Sequence, residues 1–164
     1  MLHHLLLNLT FYKVKYVFQK EPLYKSIAIK AHPSVVWRAI TDTELMQKWM
    51  LDEEIEVSTT WRLGSLIIIN GNLHDIYFEN RGTILKIEAE KCLQYSHLSS
   101  LSKLADEKQN YVIYEFKLSP VSEKTLLSLS IHNFPTESIY QHLNFYWNTT
   151  LHILKDFIET QNLN

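Results

Sequence analysis

The chain has 164 residues, with 46% hydrophobic and 21% charged side chains, proportions that suit one globular domain and exclude an intrinsically disordered chain. The 16 Lys+Arg against 18 Asp+Glu leave a formal charge of −2 and no electrostatic footprint for a nucleic-acid backbone, so no nucleic-acid partner is expected. Three glycines, Gly64, Gly71 and Gly82, cannot supply a phosphate-cradling loop or a dinucleotide fingerprint, and the single cysteine, Cys92, excludes an internal disulfide or a Cys-rich metal site. No cofactor is implied.

No stretch is apolar for long enough to cross a bilayer. The apolar run at residues 5–9 has no basic run before it and no small-residue cleavage site after it. The sequence therefore predicts a cytoplasmic protein without membrane insertion. Residues 11–18 alternate Tyr12, Val14, Tyr16 and Phe18 against Lys13 and Lys15, the period of a strand, and Glu21-Pro22 ends it. Residues 1–22 thus read as an N-terminal extension carrying an extra strand, and residues 23–164 as the domain. An alternating apolar strand at a sheet edge invites pairing, so residues 10–18 either extend the sheet or mediate a homodimer.

Residues 24–31 form a compact strand with Ile27 and Ile29 on one face. His32-Pro33-Ser34 opens a helix, with Pro tolerated in the first turn and Val35, Val36, Trp37 and Ile40 at helical spacing. Thr41 or Asp42 caps a second short helix through Leu45, Trp49 and Met50. Six strands follow: 55–57, 66–69, 83–89 with Leu85 and Ile87 inward, then Leu93, Tyr95 and His97, then Val112, Tyr114, Phe116 and Leu118, then Leu127, Leu129 and Ile131. Their in/out alternation marks an antiparallel sheet with one buried face. His74-Asp75 reads as a solvated turn, and residues 99–109 as a polar loop or short helical insert. A long helix closes the chain, capped by Thr136, with Tyr140, Leu143, Trp147, Leu151, Leu154 and Ile158 at three- and four-residue steps. A second row of Ile139, Tyr146, Ile153 and Phe157 makes its apolar face unusually wide.

This order predicts an α+β fold in which a curved antiparallel sheet wraps a long C-terminal helix, with two short helices after the first strand plugging one end. Such a cup leaves a cavity between helix and sheet. The run Ile27-Ala28-Ile29-Lys30-Ala31-His32-Pro33-Ser34-Val35-Val36-Trp37-Arg38-Ala39-Ile40-Thr41-Asp42 resembles the opening of START-like (SRPBCC) proteins. Within that superfamily it is similar to the activator of heat-shock-protein-90 ATPase homologue group. Trp61-x-x-Gly64-Ser65, Arg81-Gly82-Thr83-Ile84-Leu85, Leu93-x-Tyr95, Asn133-Phe134-Pro135-Thr136-Glu137, Trp147 and Leu154-Lys155 agree with it. The resemblance spans about residues 23–160 and implies the helix-grip fold.

The candidate pocket walls are Trp61, Ile68, Leu85, Tyr95, His97, Tyr114, Phe116, Leu129, Tyr140, Leu143, Trp147 and Leu151. Apolar walls with sparse polar groups suit a small hydrophobic or aromatic ligand, and the resemblance implies the same. Each aromatic also reads as core packing, and His97 as a histidine satisfied by a neighbouring hydroxyl. Three functions follow: a ligand-binding module; an enzyme of the cyclase, aromatase or hydrolase sort using His97 with Tyr95 or Tyr114; and a chaperone-associated stress protein. Against the last, residues 1–22 are too few for the separate chaperone-binding domain of the activator. His142 and His152, ten apart on one helix, do not assemble a metal site. No catalytic residue is assigned, since Gly64-Ser65 lacks a nucleophile-elbow pattern and Cys92 has no evident base.

Overall fold

The computed structural model describes residues 18, 20–161 and 163; the strand expected at residues 10–18 lies, Phe18 apart, outside them. Ten elements follow in order: β1 (Leu23–Ile29), α1 (Pro33–Thr41), α2 (Thr43–Trp49), β2 (Ile55–Thr59), β3 (Leu66–Leu73), β4 (Ile76–Glu88), β5 (Cys92–Ser99), β6 (Val112–Val121), β7 (Lys124–His132) and α3 (Glu137–Thr160). The strands pair antiparallel in one sheet ordered β1-β7-β6-β5-β4-β3-β2. The polar insert between β5 and β6 carries two single-turn helical segments, Ser100–Ser102 and Lys108–Asn110.

Local chemistry sets the element ends. The His32 side chain accepts a hydrogen bond from the Ser34 amide at the start of α1, where Pro33 occupies the first turn. Asp42 Oδ1 accepts from the amides of Glu44 (3.0 Å) and Leu45 (3.2 Å), capping α2. Thr136 Oγ1 accepts from the Ile139 amide at 3.2 Å and starts α3. His74 and Asp75, with φ of 50° and 65°, form the two-residue turn between β3 and β4; positive φ at both positions matches the right-handed twist of the flanking strands.

The sheet bends where β4 crosses β5. Gly82 is buried there, and a Cβ on it would fall 1.6 Å from the Ser96 carbonyl oxygen, so no side chain fits. The Thr83 amide turns instead to Ser96 Oγ at 2.9 Å. One residue further on, Ile84 pairs with Tyr95 and Lys86 with Gln94, leaving Leu85 as an extra residue in a bulge. The bulge corrects the expected facing of this strand. Ile84 is fully buried while Leu85 is 40% exposed on the outer face. β3 carries the same kind of correction: Ile67 and Ile69 point inward and Ile68 outward, because a shift of one residue moves every side chain to the other face.

α3 lies across the concave face of the sheet, with Leu143, Trp147, Leu151, Leu154 and Ile158 buried at three- and four-residue steps. Its C-terminal half meets β1 and α1, and the core there is closed by Ile29, Val36, Leu127, Leu129 and Leu154, each at most 1% exposed. At the Thr125 end of β7 the hydroxyl donates to the Ala31 carbonyl at 2.8 Å, tying β1 to the sheet from its C-terminus. Ile153 of α3 is exposed while Ile139, Tyr146 and Phe157 are partly buried, so the second apolar row of the helix is buried only in part.

Candidate functional site

The N-terminal half of α3 stands off the sheet and leaves a cavity of about 410 Å³, within the ~300–1,000 Å³ typical of small-molecule sites. Its sheet wall comes from Ile69 and Leu73 of β3, Phe78 and Asn80 of β4, Tyr95 and His97 of β5, and Val112 and Tyr114 of β6. The helix wall comes from Ile139, His142, Leu143, Tyr146 and Trp147. Met50, Leu51 and Ile55 also line it, and the insert between β5 and β6 supplies Leu101, Ser102 and Asn110. No Asp, Glu, Lys or Arg stands among the described lining residues.

Aromatic rings form the floor. Tyr95 and Tyr114 meet edge to face at 5.3 Å between centroids, and Tyr114 and Phe116 each stand edge-on to Trp147 at 5.6 Å. His97 lies 5.1 Å from the Tyr114 ring. Such offset and T-shaped contacts are the favourable arrangements of aromatic pairs. On the helix, the Tyr146 hydroxyl donates to the Met50 carbonyl at 2.5 Å and fixes α3 to the end of α2. The insert is pinned from outside, where Asp106 accepts from the Tyr111 hydroxyl (2.6 Å) and from Arg81 (3.1 Å).

Five of the residues singled out from sequence line this cavity: Tyr95, His97, Tyr114, Leu143 and Trp147. Phe116 packs behind it, stacked on Tyr95 at 6.2 Å. Leu129 and Leu151 belong to the closed core under the C-terminal half of α3. Tyr140 packs on Phe134 at 4.9 Å, with the Lys20 ammonium 4.7 Å from its centroid, outside the lining set. Trp61 is partly buried on the connection between β2 and β3, and Ile68 and Leu85 face away.

Sequence reasoning missed Asn80, Tyr146 and the insert residues. Asn80 belongs to the first part of β4, residues 76–82, which lacks a clean apolar alternation. Tyr146 was legible as a member of the second apolar row of the last helix. Nothing in the sequence brings the insert to the cavity wall.

The titratable side chains of the described lining are two histidines, His97 and His142, and three tyrosines, Tyr95, Tyr114 and Tyr146. Burial holds the His97 imidazole down at about 4, with the nearby His142 acting in the same direction. Burial raises the Tyr95 and Tyr114 phenols well above their ordinary range, and pushes Tyr146 up to about 12. The Trp147 indole N–H acts on the Tyr114 phenol in the opposite sense, without closing a hydrogen bond of ordinary geometry. Cys92, buried at the start of β5 away from the cavity, has its thiol raised first by burial and then by Glu115. A thiol in that state is a poor nucleophile.

A seven-stranded antiparallel sheet gripping a C-terminal helix, with two short helices after the first strand and a cavity between the layers, defines a START-like helix-grip protein. The family model of the Activator of Hsp90 ATPase homolog 1-like proteins matches residues 30–159, and the chain belongs to that family. The solution structure of ChR145 from Cytophaga hutchinsonii is 30% identical, with a TM-score of 0.74, over 88% of this chain and 97% of that one. The Aha1 dimer from Colwellia psychrerythraea shares the fold at 20% identity and a TM-score of 0.69, over 87% and 99%. CalU16 from Micromonospora echinospora shares it at 24% identity and 0.66, over 85% and 77%. No curated protein matches the chain.

Proposed function

We propose that the protein is a binding module that holds a small, mostly apolar ligand between its sheet and the N-terminal half of α3. The observation that carries this reading is the cavity of about 410 Å³, walled by aliphatic and aromatic side chains from six elements. Close packing is the rule in protein interiors, where voids larger than a water molecule are few. A cup of this size and lining is the ordinary form of a ligand site. Binding is favoured over catalysis because His97 has a pKa of about 4 and is therefore a weak base near neutral pH.

The test is native mass spectrometry of the protein purified from its own host, followed by denaturing extraction. Retention of an apolar small molecule supports the reading. An empty protein that also fails to bind a neutral apolar dye such as Nile red would sink it.

Two further parts of the reading concern the chain as a whole. Residues 1–22 act as an extension of the domain at 23–164 and promote self-association through the edge of β1, which among the described strands pairs only with β7. A dimeric relative, the Aha1 dimer from Colwellia psychrerythraea, supports this. Sedimentation of the full chain against a chain beginning at Leu23 tests it, and equal association states would overturn it. The same reading sets the protein in the cytoplasm; no described helix is long and apolar enough to cross a membrane.

A further inference from the structure

We infer that the cavity selects uncharged ligands bearing a hydroxyl or carbonyl group, which completes the hydrogen bonding of Tyr95, Tyr114 and His97. The inference rests on the cavity being a binding site and names the chemistry it would take.

Tyr111 donates its hydroxyl to Asp106 and Tyr146 donates to the Met50 carbonyl. The Tyr95 and Tyr114 hydroxyls, on side chains 2% and 3% exposed, close no such bond to any described residue and line the cavity. His97 is half-buried, opens on the same cavity, and is likewise without a partner among the described residues. Two more groups of the wall are fully buried and have no hydrogen-bond partner among the described residues: the Asn80 side-chain oxygen and the Trp147 indole N–H. A buried polar atom left unsatisfied is costly. Those two atoms, with the Tyr95 and Tyr114 hydroxyls and the His97 imidazole that open on the same void, form an unfilled hydrogen-bonding surface. A ligand hydroxyl can accept from a phenol and donate to the imidazole, and a carbonyl can accept from either phenol.

The same wall rejects ions. A carboxylate or ammonium brought into it would lose its hydration and find no Asp, Glu, Lys or Arg to pair with on the described wall. His97 adds no compensating charge, being uncharged near neutral pH.

Three probes with one ring system separate the parts of the inference: naphthalene, 2-naphthol and 2-naphthoate, titrated near neutral pH into the full chain by calorimetry or by the fluorescence of its tryptophans. The expected order is 2-naphthol about tenfold tighter than naphthalene, as one or two good hydrogen bonds give, and 2-naphthoate at least about a hundredfold weaker than 2-naphthol. Naphthalene binding as tightly as 2-naphthol would overturn the polar part while leaving the cavity a binding site. Naphthoate binding within about tenfold of 2-naphthol would overturn the exclusion of charge. Failure of all three probes would overturn the binding reading itself. Tyr95→Phe and Tyr114→Phe then locate the effect. Each removes a hydroxyl that closes no ordinary hydrogen bond to a described residue, so thermal midpoints should hold while the preference for 2-naphthol over naphthalene falls by about three- to tenfold. An unchanged preference in both variants would exclude these hydroxyls as the recognition groups and overturn the inference.

Discussion

Replacing His97 by Gln should remove most of an acid-linked loss of stability. In the folded chain burial holds this imidazole at about 4, whereas in the unfolded chain it titrates near about 6.5. Between those values the unfolded state takes up a proton that the folded state does not. The histidine's contribution is therefore fully present above about pH 6.5 and is lost as pH falls through the interval towards about 4. A gap of this size is worth a few kcal/mol in full, and about 2 kcal/mol of it disappears between about pH 7 and about pH 5. Other carboxyls also weaken the fold in acid: Asp106 is held low by the Tyr111 hydroxyl and Arg81, and Glu159 by the Lys30 amide and Lys155. Both are present in either chain and cancel in the comparison. Urea denaturation of wild type and His97→Gln at the two pH values reads the difference directly. Wild type should lose about 2 kcal/mol more than the variant over this range. Equal losses would refute the burial of His97 in the cavity wall.

Gly82→Ala should destabilise the domain by about 3 kcal/mol or more, read as a fall in the urea midpoint, because the new methyl would overlap the Ser96 carbonyl and force β4 from β5. Ile84→Ser and Leu85→Ser form a pair of adjacent substitutions with opposite expectations: a loss of about 2–4 kcal/mol at the buried Ile84, and within about 0.5 kcal/mol of wild type at the outward Leu85. Equal thermal shifts in the two would refute the bulge. Leu154→Ala, in the closed half of the core, should cost about 2–5 kcal/mol. Probe binding by the Leu154→Ala chain at a temperature where it remains folded should match wild type, since the residue lies outside the cavity wall.

The sequence by itself determined the order and type of the elements and the family to which they belong. Period-two alternation at Tyr95, Tyr114 and Leu129 and helical spacing from Leu143 to Ile158 are local consequences of how side chains project from strands and helices. Capping by Asp42 and Thr136 is local in the same way. What tertiary structure alone decided was facing at the irregular points and the division of one apolar helix face into two uses. Leu85 turns outward because Gly82 lets β4 press onto Ser96 and a bulge follows; the parity of residues 83–89, read as a regular strand, could not show it. Ile68 turns outward because its strand's register is fixed by pairing with β2 and β4, and three adjacent isoleucines fit either face equally well by composition. Leu151 and Trp147 sit one helical turn apart on the same stripe, yet one closes the core and the other lines the cavity. Hydrophobic spacing says which side of α3 is buried. The curvature of the sheet beneath it, set by contacts distant in sequence, says how far away the opposite wall stands.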